Sequence, residues 1–220
     1  MREFNFGYDI IDKRAAFFFD KIAVKCLIDN NFILELSNAD LHHHSNITAY
    51  YLQKIGVKEG SRVLLCGLEN WFEITLIISA LHKLCATIVF DLQQKPVECC
   101  NSLCVYAIIS ANNSPAIQQI TQNFDRLQTV EMLVSVGNPC PDKWLDLHTG
   151  TRFAKQFKPL QSIPRNQTSL IIFNEKLQFF DENYPLQAAD CRESGNDSSM
   201  YVWDRFYRSM IAGKTFEMGT

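Results

Sequence analysis

Three sets of side chains in this 220-residue sequence have the types that carry chemistry. His42-His43-His44 is a run of imidazoles. Successive residues on a helix point about 100° apart, so the three cannot meet one ion, and a solvated face is the simpler reading. Asp40 and Ser45 lie beside them, but a nucleophilic triad needs its members delivered from separate elements. Cys99, Cys100 and Cys104 form the candidate thiolate site. Their spacing is not C-x-x-C and no paired histidines accompany them, so buried structural thiols are expected. Pro96, at the start of the same helix, allows a second reading in which a helix N-terminus lowers a thiol pKa, although no partner base is evident. Trp203, Phe206, Tyr207 and Met210 recur at helical spacing, which favours a packed apolar face. Asp9, Asp12, Lys13 and Arg14 read as surface charges. Asp181-Glu182, Glu193 and Asp197 read as acidic loop residues.

The elements that must position these groups follow from periodicity and breakers. Phe6 to Phe17 reads as a helix. Ile22 to Ile28 and Phe32 to Leu36 read as a hairpin turning at Asp29-Asn30-Asn31, residue types that tolerate left-handed angles. Ser37 or Asn38 caps a helix whose buried side is Leu41, Ser45, Thr48, Leu52 and Ile55, closed by Gly56. A strict alternation follows: strand 62–66, helix 70–84, strand 86–90, helix 96–103, strand 105–110, helix 115–124, strand 131–136. Strands alternating with helices of this length predict βαβ units, hence an α/β fold with a largely parallel sheet flanked by helices. Past Gly137 the rhythm changes. Trp144 to Phe157 reads as a helix broken near Gly150, 159–167 as a polar connector, and 168–173 and 176–180 as strands. Leu186 to Ala189 reads as a short strand, 199–211 as an aromatic-rich helix, and 214–218 as one more strand. The chain is expected to be a single domain over 1–220, with a subdivision at 1–137 and 138–220.

Composition narrows the class. The chain is 47% hydrophobic and 20% charged, with a formal net charge of −3 and a pI near 5.9. That is globular composition, with no basic face asking for nucleic acid. The eight cysteines sit in apolar segments, the N-terminus carries no apolar signal region, and no run is long enough to span a bilayer. A reducing cytoplasmic setting is expected.

The segment Ser45-Asn46-Ile47-Thr48-Ala49-Tyr50-Tyr51-Leu52-Gln53-Lys54-Ile55-Gly56-Val57-Lys58-Glu59-Gly60-Ser61-Arg62-Val63 resembles the adenylate-forming (AMP-binding) superfamily, in which a helix leads through Gly-Val-x-x-Gly-Asp-x-Val into a strand. Asn70-Trp71-Phe72-Glu73 and Ala80-Leu81-His82-Lys83-Leu84-Cys85-Ala86 are similar to its Glu-Trp-x-Glu and Lys-x-Gly-Ala stretches. Phe4 to Asp12 looks most like the medium-chain acyl-CoA synthetase branch. Leu186-Gln187-Ala188-Ala189-Asp190 and Trp203-Asp204-Arg205-Phe206-Tyr207 through Gly213 resemble that branch's strand-Asp and Trp-helix-Gly stretches. The resemblance implies the N-terminal part of an AMP-forming acyl-CoA synthetase. It implies carboxylate adenylation followed by thioester formation with CoA, and so ATP, Mg²⁺ and CoA if that activity is present.

The departures bear on activity. The family's Thr/Ser- and Gly-rich loop ending in Pro-Lys should follow Ile171-Ile172-Phe173, and here the sequence runs Asn174-Glu175-Lys176. Backbone N–H groups close on phosphate oxygens only where glycines let them approach, and Lys176 lacks such neighbours. Cys85 replaces the family's Gly, and Asp190-Cys191-Arg192-Glu193 replaces an Asp-Thr-Gly-Trp stretch. No catalytic, cofactor-binding or metal residue transfers from the family. Trp203, Phe206 and Tyr207 stand as an acyl-pocket wall or a core face. Two functional expectations follow: an acyl-CoA synthetase-like chain inactive by itself, or a non-catalytic interaction or regulatory module that pairs with a partner protein or with itself.

Overall fold

The computed structural model describes residues 3–28, 32–155, 157, 167–190 and 202–218. A π-helical turn, Gly7–Asp12, runs into α1 (Lys13–Phe17). The wide turn forms where the chain presses on another helix: a Cβ on Gly7 would lie 2.6 Å from the Lys83 side chain. β1 (Ile22–Ile28) and β2 (Phe32–Ser37) pair antiparallel, as expected of a hairpin. α2 (Asn38–Lys54) begins at a reciprocal cap: the Asp40 N–H donates to Ser37 Oγ and the Ser37 N–H to the Asp40 carboxylate. Two of the backbone donors at that end are thereby satisfied.

The α/β alternation is β3 (Arg62–Cys66), α3 (Trp71–Lys83), β4 (Thr87–Asp91), α4 (Pro96–Leu103), β5 (Ala107–Ala111), α5 (Pro115–Gln122) and β6 (Met132–Val136). Then come β7 (Leu145–Asp146), α6 (Leu147–Arg152), β8 (Thr168–Phe173), β9 (Gln178–Asp181), α7 (Tyr184–Asp190), α8 (Val202–Ile211) and β10 (Phe216–Met218). The main sheet has seven strands in the order β7-β6-β5-β3-β4-β8-β9, all parallel except β9. Successive residues of a strand face opposite sides. Leu64, Val89, Ile108 and Ile171 accordingly pack with Cys99, Leu103, Ile117 and Ile120 of α4 and α5. Val63, Leu65, Ile88, Ile109 and Ile172 pack with Leu41, Leu52, Ile77 and Leu81 of α2 and α3. Helices on both faces explain why these strands read as unbroken apolar runs.

A second sheet, β10-β1-β2, joins the two ends of the described chain, with Val24 opposite Phe216 in parallel. Arg14 fastens this closure. Its buried guanidinium donates to Asn38 Oδ1 at 2.9 Å, to the Met210 carbonyl at 2.7 Å and to the Lys214 carbonyl at 3.3 Å. Arg14 and Asp12 are therefore structural groups rather than surface charges: buried Lys83 donates to Asp12 Oδ1 at 2.6 Å and to Asn46 Oδ1 at 2.7 Å.

Several expected elements change. Leu186–Ala189 is not a strand but the body of α7, which packs on α8. A short apolar run has no decisive period, and Pro185 is tolerated in a helix's first turn. The helix expected over 144–157 is a two-residue strand followed by α6, which contains Gly150 rather than breaking there. The helix expected over 115–124 stops at Gln122, and Phe124–Arg126 form a 3₁₀ turn. The helix expected over 199–211 is α8, whose described residues begin at Val202. The tip of the β1–β2 turn, most of the 159–167 connector, and Cys191, Arg192, Glu193 and Asp197 lie outside the described residues.

Candidate functional site

In an open α/β sheet, ligands bind beyond the carboxyl ends of the strands, where the strand order reverses. Here β4 follows β3 on one side and β5 lies on the other. A crevice of about 350 Å³ opens at that point, lined among others by Gly67, Glu69, Asp91, Gln94 and Ser114. Gly67 has φ +61° and lies so close to Ser114 that a Cβ would sit 1.8 Å from its Oγ. Burial raises the Asp91 carboxyl pKa, while the backbone N–H groups of Gln93, Lys95 and Gln94 pull it down. None of the lining residues is Lys, Arg or His. Two carboxylates and no cation make this crevice a poor host for a polyphosphate.

The resemblance places the phosphate-gripping loop directly after β8. β8 and β9 form an antiparallel hairpin, and the connection between them is the four residues Asn174-Glu175-Lys176-Leu177. The Asn174 side chain accepts from the Glu175 N–H at 2.8 Å, tightening the turn on itself. The turn contains no glycine, and Lys176 is exposed. The four residues of this turn therefore do not fit a triphosphate and its Mg²⁺, because none of them is a glycine that would let backbone N–H groups close on phosphate oxygens.

Trp203, Phe206 and Tyr207 are brought together and buried. Trp203 stacks on Phe90 of β4 at 4.1 Å and 6°. Phe206 meets Phe6 and Phe216 edge-on. Tyr207 also packs edge-on against Phe6, and its hydroxyl lies 2.9 Å from His82 Nε2. Around them sits a polar cluster with no sequence signal, because its members come from distant segments. His82 Nδ1 and Glu182 Oε2 are buried without hydrogen-bond partners and lie 4.0 Å apart. Burial pushes His82 down to about 3 and Glu182 up to about 7, the latter helped by neighbouring Asp181. The Tyr184 hydroxyl donates to Asp204 Oδ1 at 2.5 Å.

The remaining candidates do not converge. His42 Nδ1 pairs with Asp12 at 2.8 Å, and the His43 and His44 rings meet each other edge-on. Among the described residues no three His, Cys, Asp or Glu side chains are placed to hold a metal ion. Cys99 and Cys100 are buried and Cys104 is exposed. Burial raises the Cys99 thiol pKa and pushes Cys100 to about 12, the reverse of an activated nucleophile. Cys85, standing where the resemblance expects Gly, has φ +51°. A left-handed backbone at a non-glycine residue costs about 1–2 kcal/mol.

No protein-family model and no curated protein sequence matches the chain. Solved structures do match. The N-terminal domain of FACL13 from Mycobacterium tuberculosis superposes with a TM-score of 0.79 at 17% identity, over 99% of this chain and 57% of that one. The long-chain-fatty-acid-CoA ligase FadD1 from Archaeoglobus fulgidus gives 0.78 at 15% identity, over 100% of this chain and 48% of that one. The anthranilate CoA ligase AuaEII, determined with anthranoyl-AMP, gives 0.72 at 17% identity, over 87% and 37%. The chain has the fold of the N-terminal part of the adenylate-forming acyl-CoA ligases. It spans about half the length of the structures it matches.

Proposed function

We propose that this chain is an acyl-CoA synthetase-like protein that does not adenylate carboxylic acids by itself. The supporting observation is the β8–β9 connection: four residues without glycine where the fold's enzymes need a phosphate cradle. Transfer of the adenylyl group from ATP to a carboxylate, with pyrophosphate leaving, rests on positioning and on neutralising phosphate charge. Neither the turn nor the acidic crevice beside it offers these. ATP, Mg²⁺ and CoA would be the reactants and cofactor of that chemistry, and no described residue is assigned to them. In this reading Trp203, Phe206 and Tyr207 act as core rather than as an acyl wall. Pyrophosphate exchange with a panel of fatty acids checks the proposal: the pure chain should give no ATP-dependent signal above background, and clear turnover refutes it. Free cysteines throughout the described residues support a reducing, cytoplasmic setting. No helix among the described residues is long and apolar enough to cross a membrane.

A second reading, an interaction module, is favoured by one feature. Phe17, Phe18 and Phe19 are 77%, 59% and 63% exposed in succession. Contiguous exposed aromatics of this kind mark association surfaces. Size-exclusion chromatography with light scattering tests it: self-association that is lost on changing all three to Ser supports this reading, and a concentration-independent monomer counts against pairing with itself.

A further inference from the structure

We propose that the cleft between α2, α3 and α6 binds a small amphipathic anion, with its apolar body between the helices and its charged head on Arg152. The inference goes beyond the functional reading above and concerns a different place. α6 follows β7 at one edge of the main sheet, whereas the Asn174–Leu177 turn belongs to β9 at the other. The cleft holds about 380 Å³, within the range of roughly 300–1,000 Å³ typical of small-molecule sites. Ile47, Phe72, Leu76 and Leu147 supply its apolar wall.

Charge selects the head group. Arg152 is the only permanent cation lining the cleft, and among the described residues it makes no ion pair. Glu73, the one lining carboxylate, is already engaged by His148 Nε2 at 2.9 Å. It therefore does not occupy Arg152. The carrier of Arg152 is held in place. A Cβ on Gly150 would lie 2.1 Å from the Tyr51 ring, so the α6 backbone rests directly on α2. Asp146 caps α6, accepting from the His148 N–H at 2.9 Å and from the Thr149 hydroxyl at 2.7 Å. An apolar wall beside an unneutralised guanidinium carried on a fixed helix recognises an anionic oxygen group on a short hydrocarbon, whether sulfate, phosphate or carboxylate.

Calorimetric titration of the intact chain with hexyl sulfate, hexanol and hexylammonium tests the assignment. Hexyl sulfate cannot be adenylated as a carboxylic acid, so the outcome is independent of pyrophosphate exchange. Saturable one-to-one binding of hexyl sulfate in preference to hexylammonium is expected. Arg152→Gln should weaken hexyl sulfate roughly tenfold and leave hexanol unchanged, while Arg152→Lys retains most of the affinity. Because Arg152 is exposed, an unaltered circular dichroism spectrum is expected of both variants. Absence of saturable hexyl sulfate binding, equal binding of the sulfate and the ammonium, or an unaffected Arg152→Gln variant each overturns the proposal.

Discussion

Glu182 is a carboxyl buried where its charged form is disfavoured. It is an acid 6% exposed, facing a neutral imidazole, with its pKa raised from 4.5 to about 7. The folded chain thus holds this proton more tightly than the unfolded one. The stabilisation is complete below about pH 4.5 and is lost as the pH rises through about 7. Its size is on the order of 3 kcal/mol. His82 works in the opposite sense: with its pKa depressed from 6.5 to about 3, it withdraws stability as the pH falls through that window. Glu182→Gln keeps the shape and cannot ionise, and His82 is common to both proteins. The variant should match the parent in urea unfolding at about pH 5 and exceed it at about pH 8. Superimposable curves at both pH values would show that the carboxyl is already solvated. Nothing in the sequence announces this pair, since His82 and Glu182 lie a hundred positions apart and meet only through the packing of α3 against the segment after β9. The aromatic set was legible, because Trp203, Phe206 and Tyr207 share one side of a single helix and need no partner to be seen.

At the scale of elements, local chemistry decided what could be read. The alternation of strands and α-helices between Arg62 and Val136 was foreseen, because these are strongly patterned segments, most of them marked at an end by a Gly, Pro or Asn. α7 was not, because a segment as short as Leu186–Ala189 carries no decisive period of its own. The hairpin of β8 and β9 shows the converse: its short turn was visible as a sequence without glycine before any geometry. The α2 start is another local feature with a measurable weight. Ser37→Ala removes the side-chain half of the reciprocal cap, leaving the residue-37 N–H on the Asp40 carboxylate, and should cost about 1 kcal/mol, read as a lower denaturation midpoint with unchanged slope. A change in slope would mean that α2 frays in the native state instead.

The molecule as a whole is closed by its distant parts. β10 pairs with β1 across almost the entire chain, and α8 supplies Phe206 and Tyr207 to a core built with Phe6 and His82. Removing residues 202–218 would strip one side of β1 of its partner and leave Phe6 and Phe90 without their aromatic neighbours. The truncated chain is expected to be insoluble or to expose dye-binding apolar surface, measured by 8-anilinonaphthalene sulfonate fluorescence. A soluble, cooperatively unfolding product would show that the main sheet is a unit sufficient to itself. This long-range closure was the least legible level, since a three-residue strand at Phe216 gives no hint that its neighbour lies near Val24.

The Val24–Phe216 pairing also sets a timetable for biosynthesis. A ribosome delivers residues in order at roughly 5–20 per second, so β1 emerges many seconds before the strand that completes its sheet. During that interval the nascent chain carries an unsatisfied backbone edge and a half-lined aromatic socket. Closure of this sheet therefore waits until Phe216 has been made, and the waiting edge is one that holdase chaperones are suited to cover.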